Sequence, residues 1–288
     1  MSHGRAVAAM LLVTLMWSIA GVVTRQLEAA RSFEVTFWRS LATFVALGGY
    51  YAWAHGRSTF ALLRTGGRAL WLSSAMWGVM FTCFMVALTL TTVANVLITM
   101  SLAPLLTALL ARFTLGHPVA RRTWAAIVLA GCGIAYMYGS GLSAEPRHLI
   151  GTLVALAVPV ASAINWNTLQ RSGAQVDLVP ALLLGSLISA LVTLPLAVPL
   201  QASVHDVGLL AMLGLLQLAV PCVLAVRVAR WLPAPEMSLL ALLEIVFGIA
   251  WAWLGAGEAP SQAVIVGGSL VLGTLFVNAG WGLRESRA

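Results

Sequence analysis

The sequence predicts an all-α integral membrane protein of ten transmembrane helices, arranged as two inverted five-helix repeats with the N and C termini cytoplasmic. Three observations predict it. The mean hydropathy is +0.95 and charged residues make up only 9% of the 288 positions, too few to cover a soluble globule, so most of the chain is solvated by lipid. Apolar stretches of about 18–22 residues, the length that crosses roughly 30 Å of hydrocarbon, recur from end to end. All 16 cationic side chains are arginines, and most of them fall on one side of the resulting zigzag.

Span 1 (6–24) runs from Arg5 to Arg25, and span 2 (33–54) from Arg31 to the arginine-bearing loop His55 to Arg68. Span 3 (69–89) opens after that loop, and span 4 (93–113) follows a tight connection and ends beside Arg112. Span 5 (123–140) starts behind Arg121-Arg122, span 6 (150–168) lies between Arg147 and Arg171, and span 7 (178–200) follows Asp177. Span 8 (207–226) lies between Asp206 and Arg227, span 9 (235–254) ends at a glycine-rich turn, and span 10 (262–283) stops at Arg284. A cytoplasmic N terminus places Arg5, Arg57, Arg64, Arg68, Arg121, Arg122, Arg171, Arg227, Arg230, Arg284 and Arg287 inside, against Arg25, Arg31 and Arg147 outside. That bias orients the bundle. The apolar run after Arg5 continues to Val23, too long for the core of a signal peptide, so span 1 is read as retained.

The pI of about 10.4 thus belongs to cytoplasmic loops, and no nucleic-acid partner is implied. Cys83, Cys132 and Cys222 lie in apolar runs without a C-x-x-C spacing, which argues against disulfides and a zinc site. No loop is long enough for a soluble domain. Setting Ala94 against Ala234 aligns spans 4 and 5 with spans 9 and 10, brings Gly116-His117 near Gly257-Glu258 and pairs Gly133 with Gly273. This divides the chain into repeats 1–145 and 146–288. Five spans per repeat is an odd number, so the second repeat enters the membrane inverted, a plan common among secondary transporters.

Met16-Trp17-Ser18, Phe37-Trp38-Arg39-Ser40, and the tract from Ala87-Leu88-Thr89 through Ala94-Asn95 to Ala103-Pro104 resemble the drug/metabolite transporter superfamily in its EamA type. In the second half, Leu243-Glu244 and Leu254-Gly255-Ala256-Gly257-Glu258 agree with it. Within that superfamily the chain is similar to bacterial aromatic and neutral amino-acid exporters of the YddG type. Two positions depart from the family pattern: His117 stands where an acid is usual, and Ile245 where a proline usually follows the glutamate. The resemblance implies a multi-pass protein of the bacterial inner membrane, with spans 3, 4, 8 and 9, joined by 1 and 6, around a central cavity and spans 5 and 10 peripheral. It implies a small-molecule substrate and lipid as partners, with no cofactor, no metal and no catalytic residue; a monomer is the expectation.

Those inner spans carry the unusual polar residues. Glu244 lies mid-span, where an acid costs roughly 2.5–3.5 kcal/mol on the insertion scale and needs a partner, water or a ligand. The structural alternative is a hydrogen bond to a neighbouring helix. Leu240, Glu244, Phe247 and Trp251 share a face of span 9, and Trp77, Met80, Phe81 and Phe84 form an aromatic stripe on span 3, a pattern that serves packing as readily as binding. Ser18, Asn95, Thr99, Asn165, Asn167 and Gln217 supply neutral hydrogen-bonding groups, or else interhelical contacts worth on the order of 0.6 kcal/mol each. Trp17 and Trp166 fall at mirrored depths, as cavity gates or interfacial anchors. The cavity set is therefore Trp17, Ser18, Trp77, Met80, Phe84, Asn95, Thr99, Asn165, Trp166, Gln217, Glu244 and Phe247. Arg39, two turns into span 2, could bind a carboxylate, but it is read as structural, snorkelling or paired with Glu34. Prolines 104, 159, 195 and 221 interrupt the backbone bonding of their helices.

Three functions compete. The first is a carrier exporting a small amphipathic solute, such as an aromatic or other neutral amino acid, by alternating access. The second is proton-coupled efflux of a lipophilic or quaternary-ammonium drug, which an aromatic cage with one glutamate also suits. The third is an intramembrane enzyme, which the sequence disfavours. His3, His55, His117, His148 and His205 lie in loops or tails, Asp177 and Asp206 lie at helix boundaries, and H-E-x-x-H, G-x-S-x-G and P-loop motifs are absent.

Overall fold

A chain in hydrocarbon must satisfy its own backbone, which leaves helices or a closed barrel. The computed structural model describes residues 2–56, 67–115, 121–139, 146–172, 179–228, 231 and 240–285, and every regular element among them is helical. They are α1 (His3–Ser18), α2 (Ala20–Thr24), α3 (Ser32–His55), α4 (Gly67–Leu90), α5 (Val93–Met100), α6 (Ala103–Leu115), α7 (Arg121–Gly139), α8 (Pro146–Ser172), α9 (Val179–Ala197), α10 (Val204–Met212), a π-helical segment (Leu213–Ala219), α11 (Val220–Val228), α12 (Leu243–Ala256) and α13 (Gln262–Glu285). Helix falls on each of the ten apolar stretches. Six stretches are long and apolar enough to cross a membrane, and Trp124–Gly133, Leu243–Ala256 and Gln262–Asn278 are shorter apolar helices. The helix α3, which carries Glu34 and Arg39, is in neither group. Gly116-His117 and most of the loop between α3 and α4 lie outside the described residues.

Three spans are broken, each with a local cause. Span 1 interrupts at Ile19, just after Ser18 has turned its hydroxyl back onto the Leu15 carbonyl at 2.8 Å, a bond that bends helices. Pro104 does not lie inside a continuous helix, contrary to the sequence reading. It has no N–H for the Met100 carbonyl, so α5 ends at Met100 and α6 begins at Ala103 with Pro104 in its first turn, where a missing N–H is tolerated. Span 8 changes register instead of stopping. Pro221 cannot donate to the carbonyl of Gln217, and the backbone before it winds with five-residue spacing, Val220 N–H bonding the Leu215 carbonyl.

Small residues set the closest approaches, as expected where lipid offers no hydrophobic drive between helices. A Cβ at Gly185 of α9 would stand 2.5 Å from Trp77 Cβ of α4, and one at Gly133 of α7 would stand 2.8 Å from the Gly267 carbonyl of α13. The pair α7 and α13 encloses a groove of about 410 Å³ lined by Arg122, Leu129, Gly273, Val277 and Trp281 among others, and none of the predicted cavity residues lines it.

Two buried carboxylates fix the turns at one end of the bundle. Glu34, in the first turn of α3, accepts from Gln201 N–H at 2.9 Å and Ala202 N–H at 2.7 Å. Asp206, in the first turn of α10, accepts from the N–H groups of Glu28, Ala29 and Ala30 at 2.9, 2.9 and 2.8 Å. Each acid sits at a positive helix N-terminus and holds the loop that leads into the other's helix. Glu34 is therefore not the partner of Arg39.

Gly214, in the π-helical segment, is the tightest seam with α3: a Cβ there would stand 2.6 Å from the Arg39 carbonyl and 2.8 Å from Ala42 Cβ. Overpacking of this kind costs about 1–3 kcal/mol, so Gly214→Ala should lower Tm in detergent. Gly131→Ala, where a Cβ meets nothing within 4 Å, should not; both are read by fluorescence-detected size exclusion after heating.

Candidate functional site

The site grows from Arg39, whose side chain is 0% exposed. A guanidinium carries five donors in a planar fork and cannot shed its charge cheaply, so its burial demands acceptors. The π-helical segment presents Gln217, whose Oε1 takes Arg39 Nη1 at 2.9 Å, while the Phe81 carbonyl takes Nη2 at 2.9 Å. The guanidinium also lies 5.8 Å from the ring centroids of both Phe81 and Phe84, within reach of the negative ring faces. Its Nε has no hydrogen-bond partner. Gln217 in turn donates to the Trp17 carbonyl at 3.4 Å. Arg39 thus ties spans 2, 3 and 8 directly and span 1 through Gln217, the structural role read for it.

Span 9 closes the ring. Trp251 Nε1 donates to Ser18 Oγ at 3.1 Å, and Gly248 admits Leu97 of α5 and the Ser18 carbonyl to close range. Glu244, two turns before Trp251 on the same face, is partly exposed and makes no hydrogen bond or ion pair among the described residues. Cys222 of α11 is buried in a second core cluster against which Trp17 packs. Gln217 joins Arg39 to the Trp17 carbonyl and Trp251 bonds Ser18, so the Arg39 network and the helix that carries Glu244 meet at the adjacent residues Trp17 and Ser18.

The other predicted residues divide. Phe84 and Met80 are buried in the main core, with Trp77 packed against it and its ring centroid 5.4 Å from that of Phe81. Asn165 accepts from Ser73 Oγ at 2.6 Å, joining spans 3 and 6, and its Nδ2 has no partner. Asn167 donates to the carbonyls of Thr107 and Ala163. Asn95 donates to Thr91 Oγ1 at 3.2 Å, and Thr99 to the Asn95 carbonyl at 2.7 Å, both within the Thr91 to Thr99 stretch. Trp166 is 50% exposed and Phe247 half-buried. Ser73 and Cys222 were not expected, since a serine or cysteine in an apolar run carries no signal of its partners.

Arg39→Lys keeps the charge but lacks the fork that reaches Gln217 and the Phe81 carbonyl together. Losing a charge-assisted bond costs about 1.5–3 kcal/mol, so Tm in detergent should fall. In the wild-type background Gln217→Glu, which keeps an acceptor and sets a carboxylate against the guanidinium, should lower Tm less than Gln217→Leu.

Residues 4–139 match the EamA-like transporter family. No curated protein matches the chain. One solved crystal structure resembles it over 98% of this chain and 99% of its own, with a TM-score of 0.63 at 19% identity; at that identity the likeness shows the fold alone. The family match covers residues 4–139, just under half of the chain, and the apolar helices mark a multi-pass membrane protein.

Proposed function

We propose that the chain exports small amphipathic metabolites, foremost aromatic and other neutral amino acids, across a bacterial inner membrane by alternating access. In this reading ten crossings form two inverted repeats, 1–145 and 146–288, both termini are cytoplasmic, and the face carrying Arg25 and Glu258 is external. The carrying observation is that buried Arg39, through Gln217, and the helix bearing Glu244, through Trp251, converge on Trp17 and Ser18, while Glu244 is partly exposed and makes no hydrogen bond or ion pair among the described residues. An acid left unpartnered in a membrane span is retained for a ligand or a proton. The two charges sum to zero, which suits a zwitterion. Its ammonium approaches Glu244, its apolar side chain lies along Phe247 and Trp251, and its carboxylate gains from the field of Arg39. A lipophilic cation meets the same aromatic surface, but Arg39 opposes its net charge; this favours the amino acid over the drug.

Counterflow in proteoliposomes tests this. Unlabelled phenylalanine, tryptophan or threonine inside should drive uptake of the labelled amino acid with no pH gradient imposed, and Glu244→Gln should slow it by about tenfold or more, the loss of one ligand-pairing charge. A response confined to a quaternary-ammonium dye, or present only under a pH gradient, would replace the reading with proton-linked efflux.

A further inference from the structure

The turn between α4 and α5 leaves helix-end groups to be satisfied: carbonyls at the end of α4 and N–H groups at the start of α5. Two charged side chains from elsewhere do this. Arg25, just past α2, donates from Nη1 to the Leu88 carbonyl at 2.5 Å and from Nη2 to the Thr91 carbonyl at 2.9 Å. Glu258, in the turn after α12, accepts the Val93 N–H at 2.6 Å. The two then meet each other, Arg25 Nε to Glu258 Oε2 at 2.6 Å. The cation serves a helix C-terminus and the acid an N-terminus, the favourable sense for both dipoles. Both side chains keep some solvent exposure, 27% and 19%. Gln26 adds a bond to the Gly255 carbonyl at 3.2 Å. Four spans, 1, 3, 4 and 9, are thereby drawn together at one face by a cluster whose every bond includes a side chain, and which can open without unwinding a helix.

We infer that Arg25 and Glu258 are positioning residues that latch this face of the transport pathway shut, so that the structure is closed on the Arg25 side. The latch holds the end of span 1 against the ends of spans 3, 4 and 9; Asn95 lies two residues past Val93, in the first turn of α5. Breaking the pair releases Val93 N–H and the Leu88 and Thr91 carbonyls to water, which is available at that face but not deeper in the bundle. The inference rests on the alternating-access reading but not on the identity of the substrate.

Its test therefore uses no substrate. In a background with Cys83, Cys132 and Cys222 replaced by alanine, Asn95→Cys reports access to a membrane-impermeant maleimide, applied in right-side-out and inverted vesicles. Arg25→Gln and Glu258→Gln should each raise labelling from the Arg25 face by about tenfold and lower it from the opposite face, because a population shift toward one state empties the other. The double variant should go no further than either single, the mark of one shared interaction. Arg25→Lys, which keeps the charge and loses the fork, should fall between. Arg31→Gln, removing a charge at the same face outside the latch, should label as the parent. Unchanged labelling in both single variants, a rise from both faces, additive effects, or an equal rise in Arg31→Gln would overturn the latch. Failure of amino-acid counterflow would leave these rates unaffected, so the two readings fail separately.

Discussion

Hydrocarbon accepts no hydrogen bonds, and this one property of the solvent governs where every polar group of the chain is placed. It makes the elements helices, and it also turns each helix end and each break into a demand for a partner. The charged residues at the Arg25 face answer that demand. Glu34 and Asp206 cap loops across the bundle, and Arg25 and Glu258 complete the turn between α4 and α5. Residues that look in sequence like ordinary loop charges are thus the missing halves of backbone hydrogen bonds.

The same constraint separates two kinds of polar side chain inside the bundle. Arg39 with Gln217, Ser73 with Asn165, and Ser40 with Ser189 are matched pairs joining different spans; they define a rigid frame. Glu244 has no such match among the described residues. The broken spans lie beside it: Ser18 and Trp17 at the break in span 1, Gln217 in the π-helical segment, and Leu97 of α5 against Gly248. Irregular backbone in a membrane is tolerated where it borders protein or a cavity, and in transporters discontinuous helices carry the binding groups. In the proposed reading, the ligand is the group that completes this frame of paired side chains around Glu244.

The helix positions were legible because hydropathy acts over some twenty residues and averages out local accidents. Glu244 was legible as a lone acid in an apolar run; Arg39 was read as structural, but through snorkelling or Glu34, and its actual partners, Gln217 and the Phe81 carbonyl, were not legible. What escaped depends on partners without a residue signature. Glu34 pairs with backbone N–H groups 167 and 168 residues away, and a backbone donor looks the same at every position. Arg25 entered the reading only as an orienting charge, yet its partner lies 233 residues on. Pro104 and Pro221 were recognised as interruptions, but the same missing N–H ended a helix in one case and changed its register in the other. The outcome depends on what the freed carbonyl meets.

In the proposed reading, two inverted repeats exchange roles, closing one face while opening the other, and their end groups need not be equal. Glu258 aligns near His117 in the repeat that sets Ala94 on Ala234. A carboxylate has two oxygens and serves an arginine and a helix N-terminus at once, as Glu258 does. An imidazole offers one acceptor when neutral and none when protonated, so the same double duty is closed to it. On the proposed alternating-access reading, the two closed states would be unequal in free energy, and a difference of about 1.4 kcal/mol places ten molecules in one for each in the other. In the proposed export cycle, a resting state closed on the Arg25 face keeps the site open to the compartment where substrate accumulates.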